Sequence, residues 1–160
     1  MKKLLALLLM GVLAVSLLAG CGADPVYDDL SNFLNVEMVE VNANYETMKA
    51  ELATWETLPD DAAIAKSIEE KVLPIVNGSL EKLASIAPAT EEVKEIKAKY
   101  VKVMDTYKAG FEALLEGCET QEEATVNAAY DSIEEAVELL DAYNASLETL
   151  AKEHGAEIEY

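Results

Sequence analysis

EEVKEIKAKYVKVMDTYKAGFEALLEG, residues 91–117, carries Val93, Ile96, Tyr100, Val103, Tyr107, Phe111 and Leu114 at steps of three and four. That period lines seven apolar side chains along one stripe of an α-helix. Thr90 stands where an N-cap is wanted, and Glu91 and Glu92 fill the first turn, where the helix dipole favours acids. Gly117 reads as the stop.

Outward from this segment the pattern repeats. Thr120-Gln121-Glu122-Glu123 has the form of a capping box and starts the next helix at about 121. Its stripe runs Val126, Ala129, Ile133, Ala136 with Val137, Leu140, Tyr143, Leu147 and Leu150. Gly155 fits the left-handed residue after a helix end, and residues 156–160 read as a frayed tail. Upstream, Asp24-Pro25 reads as an N-cap with proline at N1. The stripe that follows is Tyr27, Leu30, Leu34, Met38, Val41, Tyr45, Met48, Leu52 and Trp55, stopped by Leu58-Pro59. Asp60 or Asp61 caps a further helix with Ile64, Ile68, Val72, Ile75 or Val76, Leu80 and Leu83 inward. Pro74 removes one backbone hydrogen bond there, and Asn77-Gly78 follows, so a kink is expected, or a clean break. Ala87-Pro88-Ala89 connects it to the segment quoted first.

The expected fold is all-α, with helices at about 25–57, 61–86, 91–116 and 121–154 in one domain spanning 25–160. Short connections make consecutive helices antiparallel, an up-down-up-down four-helix bundle. A three-helix bundle with a broken second helix is the alternative. One end of such a bundle holds Asp24, Pro88, His154 and the tail; the other holds Trp55, Leu58, Pro59 and Cys118.

The 160 residues carry 12 lysines, no arginine and 31 acids, for a net charge of −19. That balance excludes nucleic acid as a partner, because phosphates need basic contacts. It also argues against electrostatic docking on anionic lipid.

Residues 1–20 differ from the rest. Lys2 and Lys3 are followed by an apolar run from Leu4 to Leu18, broken only by Gly11 and Ser16, and the segment ends in Leu18-Ala19-Gly20-Cys21. It is short for a membrane span, which needs about 20 apolar residues, and suits a secretory signal. The terminal tetrapeptide resembles the lipobox of bacterial lipoproteins. The resemblance covers residues 1–21 and implies acylation of Cys21 and cleavage between Gly20 and Cys21. Residues 1–20 are then the signal peptide and 21–24 a lipidated tether. Cleavage takes two of the 12 lysines and none of the 31 acids, giving −21. The slightly positive mean hydropathy, +0.08, comes from this leader. Two or three acyl chains, as lipoproteins of this type carry, imply a stable anchor on the extracytoplasmic face of the membrane; one chain alone would hold poorly.

Cys118 and His154 invite a thiol–imidazole dyad, but one helix separates them by roughly 50 Å where about 3 Å is needed. Cys118 reads as an unpaired loop thiol, able to link two copies covalently. A di-iron bundle needs Glu-x-x-His, and the residue three before His154 is Ala151. The sequence holds no haem-attachment pattern, phosphate loop, nucleophile elbow or EF-hand spacing. Asp131, Glu134, Glu135, Glu138 and Asp141 read as a solvated face, with weak Ca²⁺ or Mg²⁺ binding as the alternative. His154 suits the C-terminal end of its helix as a capping imidazole. Tyr27, Tyr45, Tyr100, Tyr107 and Tyr143 all fall on inward stripes. Buried phenols need hydrogen-bond partners, so the five either pack with hydroxyls at the rim or line a ligand pocket between helices.

The expected function is non-enzymatic and cofactor-free apart from the lipid on Cys21. It is that of an interaction or structural module of the cell envelope, touching the membrane only through its anchor and serving a protein partner in the envelope. The alternative is a small-ligand binding or sensing bundle with a tyrosine-lined core. The mature chain also looks like the many small helical lipoproteins of bacteria, a likeness of type that transfers no residues.

Overall fold

The Asp24 side chain accepts hydrogen bonds from Val26 N (2.9 Å) and Tyr27 N (3.2 Å), and Pro25 occupies the first helical turn. This is the N-cap that the Asp-Pro pair predicts. It begins the helical part of a computed structural model that describes residues 14–16 and 24–159. Cys21, the Gly20–Cys21 cleavage point and the rest of the leader and tether before Asp24 lie outside the described residues, apart from a strand at 14–16.

The elements in chain order are β1 (Ala14–Ser16), α1 (Pro25–Asn32), α2 (Val39–Thr54), α3 (Asp61–Ser67), α4 (Leu73–Ser85), α5 (Glu91–Thr120), α6 (Glu123–Glu153) and β2 (Glu157–Glu159). A π-helical turn, Phe33–Glu37, joins α1 to α2, and a second, Ile68–Val72, joins α3 to α4. A 3₁₀ turn, Trp55–Thr57, finishes α2. The protein is therefore predominantly helical. Among the described residues, no helix is long and apolar enough to cross a membrane.

Both π turns have a physical cause. Phe33 and Met38 are five residues apart and both fully buried, and Met38 N donates to Phe33 O at 2.9 Å. The extra residue turns both side chains inward and leaves Val36 66% exposed. The second turn sits just before Pro74. An α-helix would press the proline ring against the carbonyl of Glu70. The π turn, closed by Leu73 N on Ile68 O, widens the backbone at that level, and the chain stays helical through Pro74. The clean break does not occur.

Helix ends depart from the sequence reading in four places. Gly117 does not stop α5, which continues to Thr120 and ends on Gln121 in the left-handed region (φ 58°). The capping box is not formed. Thr120 is still helical, its hydroxyl donates back to Glu116 O, and α6 starts at Glu123 without a side-chain cap. Thr90 takes N-cap geometry, but its hydroxyl donates to Asp29 Oδ2 (2.7 Å) rather than serving its own helix. The tail is not frayed. Ala156 N bonds Ala151 O and Gly155 N bonds Lys152 O around the left-handed Gly155 (φ 73°), a Schellman stop. Beyond it β2 pairs antiparallel with β1, Val15 opposite Ile158. A chain cut before Cys21 would lose β1 and leave that edge unpaired.

The longest backbone association is α5 against α6. A Cβ on Gly117 would fall 2.7 Å from Val126 Cγ2 and 3.0 Å from Val126 N, and one on Gly110 would fall 2.8 Å from Ile133 Cγ1. Seven residues back along α5 match seven forward along α6, and a further ten match ten where Tyr100 meets Tyr143. The two glycines thus fix an antiparallel register by admitting backbone where a side chain would stand.

Gly117→Ala removes a flexible helical glycine, worth about 1 kcal/mol in propensity, yet should destabilise the protein by roughly 1–3 kcal/mol because the backbone of α6 has to move. Gly78→Ala, whose Cβ would meet only Asn44 Nδ2 at 4.0 Å, should stabilise it instead. Urea unfolding of the two variants measures the contrast.

Candidate functional site

Four of the five tyrosines singled out by the sequence are buried, Tyr45, Tyr100, Tyr107 and Tyr143; Tyr27 is half-buried at the edge of the core. Tyr100 and Tyr143 meet edge to face with ring centroids 4.9 Å apart. Tyr107 stacks on Phe111 at 5.9 Å, and Phe111 meets Trp55 edge-on at 6.2 Å. Tyr100, Tyr143 and Tyr107 pack against other rings, as in an aromatic core, while the Tyr45 ring faces Lys49 Nζ at 5.7 Å. The phenols are pushed to higher pKa, burial being the largest cause for Tyr45, Tyr100 and Tyr107 alike. All three therefore stay protonated at neutral pH.

One phenol is incompletely satisfied. The Tyr107 hydroxyl is fully buried and makes no hydrogen bond of good geometry, although Tyr45 lies close enough to perturb it. Among the described residues, Glu37 Oε2 in the first π turn is the other buried polar atom without a partner.

The end of the helical domain that begins with Asp24 is closed by two acids, one in α1 and one at its cap. Asp29 accepts from Ala89 N (3.1 Å), Thr90 N (2.8 Å) and the Thr90 hydroxyl (2.7 Å), and so fastens the start of α5. Burial alone would raise its pKa; the Thr90 and Ala89 donors outweigh that and hold the carboxyl below the ordinary range. Asp24 pairs through Oδ2 with His154 Nδ1 at 2.8 Å, 130 residues away. That hydrogen bond, followed by the backbone N–H of Tyr27, lowers the Asp24 pKa. His154 stands at the C-cap of α6, and its imidazole also joins the two ends of the domain.

At the other end a polar chain links α2 to α3 and the second π turn. Trp55 Nε1 donates to Ser67 Oγ (2.7 Å), Ser67 Oγ donates to Glu51 Oε1 (2.8 Å), and Lys71 Nζ donates to both Glu51 oxygens (2.9 and 3.0 Å). The sequence reading missed this set; serine, glutamate and lysine on two helices carry no short-range motif. Ser67 is buried and its proton is directed at Glu51, so the arrangement is a staple, not an exposed nucleophile. Cys118 is half-buried nearby. Burial first, then the carboxylates of Asp61 and Glu119, raise its thiol pKa and reduce its thiolate fraction.

Asp131, Glu134, Glu135, Glu138 and Asp141 are all exposed on α6. Among the described residues no three His, Cys, Asp or Glu side chains converge as a metal site. A groove of about 470 Å³ lies between the start of α5 and the end of α6. None of the tyrosines lines it.

No protein-family model, no curated protein and no solved structure matches the chain.

The poorly satisfied Tyr107 hydroxyl should contribute little to the fold. Tyr107→Phe is expected to be neutral or to gain up to about 1 kcal/mol in urea unfolding; a loss larger than that would mean the hydroxyl has a partner. For Asp24 the sign is that of a lowered carboxylate: its contribution is present above the unfolded value near pH 3.9 and is lost as pH falls through the folded one. Asp24→Asn should therefore melt below the parent at neutral pH, with the gap in Tm narrowing as acid protonates the carboxyl.

Proposed function

We propose that this is a lipid-anchored helical lipoprotein on the extracytoplasmic face of a bacterial membrane, acting as a non-enzymatic interaction or structural module of the envelope. In this reading α1 with α2, α3 with α4, α5 and α6 are the four limbs of an up-down-up-down bundle, and Cys21 carries the lipid. The observation that carries it is the join between leader and body. Only Gly22 and Ala23 separate the Cys21 thiol from Asp24, and Asp24 is hydrogen-bonded to both the first turn of α1 and His154. A lipid on Cys21 would hold the domain by a firmly built end.

The acidic body suits this arrangement. With a net charge of −21 after processing, it is repelled by anionic headgroups and stands off the surface. The partner is then an envelope protein met by the outer faces or by the end bearing Trp55 and Cys118. The ring-to-ring packing of the tyrosines supports the module reading over a tyrosine-lined ligand site. The Tyr107 hydroxyl, buried with no hydrogen bond of good geometry, is the observation on the ligand-binding side.

Radiolabelled palmitate fed to a bacterial host should label the parent and not Cys21→Ala, and the variant should leave the membrane fraction. Unlabelled parent, or a variant labelled and retained like it, would overturn the anchor.

A further inference from the structure

Among the described residues, strand β2 has its strand partner in the leader. β1 lies antiparallel to it, with Ala14 opposite Glu159, Val15 opposite Ile158 and Ser16 opposite Glu157. β1 also approaches the first π turn, Phe33–Glu37. The seat of β1 is thus the edge of β2 together with that turn. Ile158 packs against the core while Glu157 is exposed, so β2 is apolar on its inward face and acidic on its outward one. The two large hydrophobic side chains left exposed among the described residues, Val36 and Val39, stand in and just after the same π turn. Glu37, between them, keeps a buried carboxylate oxygen with no hydrogen-bond partner.

We propose that, once the leader is removed, this seat takes an extended segment of another envelope protein that reads basic–apolar–basic. The inference rests on the processing reading above. β1 itself demonstrates that the seat accepts a strand. Its removal leaves the N–H and C=O groups of β2 without a ladder, the condition under which a sheet edge adds a strand. The pleat dictates the occupant. The residue opposite Ile158 shares its inward face and has to be apolar, as Val15 is. The neighbouring residues turn outward, where Glu157 selects Lys or Arg. The leader sets a neutral serine in register with Glu157, so a basic segment gains an ion pair that the leader lacks. A second copy is disfavoured, because two strongly acidic bodies repel. This surface lies at the end that carries Asp24 and His154, and it makes no use of the tyrosine core.

The test uses the processed chain in zwitterionic detergent, its mass confirming loss of residues 1–20. It is titrated with the blocked pentapeptide Thr-Lys-Val-Lys-Thr and followed by amide chemical shifts. Saturable binding is expected, with shifts centred on residues 33–39 and 156–159. The scrambled peptide Val-Thr-Lys-Lys-Thr has the same charge without the alternation and should bind about fivefold more weakly. Glu157→Gln should weaken the alternating peptide roughly two- to fivefold, and Glu134→Gln, on the exposed face of α6, by less than that. Ending the chain at Ala156 keeps the Schellman stop and should abolish binding. A chain that retains its leader should bind roughly tenfold more weakly, because the tethered strand competes at high effective concentration. Equal affinity for the two peptides, unchanged binding by the shortened chain, or no saturation would each overturn the proposal and show only diffuse attraction of cations to an acidic body. A leader that is never removed would overturn the processing reading and this proposal with it; a cleaved chain that fails to bind overturns this proposal alone.

Discussion

The close approach of α5 and α6 is the constraint on which the rest of the fold depends. Two glycines two helical turns apart let the backbone of α6 sit where side chains would normally hold it off. Once Gly117 faces Val126 and Gly110 faces Ile133, the antiparallel register is fixed along both helices. Tyr100 then has to meet Tyr143, and the walls of the surface groove have to come from residues near 95 and 149. Dispersion acts only over short distances, so a hairpin of this length benefits at many contacts from a small reduction in separation.

The remaining helices are held by polar contacts and an apolar interior. Asp29 closes one end by accepting from Ala89 N and Thr90 N, the two residues just before α5. Trp55, Ser67, Glu51 and Lys71 tie α2 to the limb after it near the other. Gln121 reaches Asp61 at the same end, joining the two connections that the topology brings together. These bonds join residues 12 to 61 positions apart and hold separate helices to one another.

The inward stripes were legible in the sequence because a period of 3.6 is a property of the helix itself. Leu30, Leu34, Met38, Val41, Tyr45, Met48, Leu52 and Trp55 were read as core and are buried. What the sequence concealed was set by tertiary contact. Gly117 looks like a helix stop, but its value lies in what approaches from α6, which no local rule encodes. Thr90 and Thr120 have capping chemistry, yet a distant acid claims one and its own preceding turn holds the other. The π turn at Phe33–Glu37 leaves only a faint trace, the spacing of five between Phe33 and Met38. Of the tyrosines, inward orientation was readable; that their faces would be taken up by one another and by Phe111 was not. The groove was invisible too, since its acids are ordinary solvated residues until two helices set them around one floor.

The bond between Asp24 and His154 has a mechanical consequence. A pull on the chain ahead of Asp24 is not borne by the first turn of α1 alone. It is divided between that turn and the last turn of α6, so the first and final helices are loaded in parallel. Peeling one of them away would require the imidazole to release the carboxylate first, and unravelling from a tugged N-terminus would begin at that single contact.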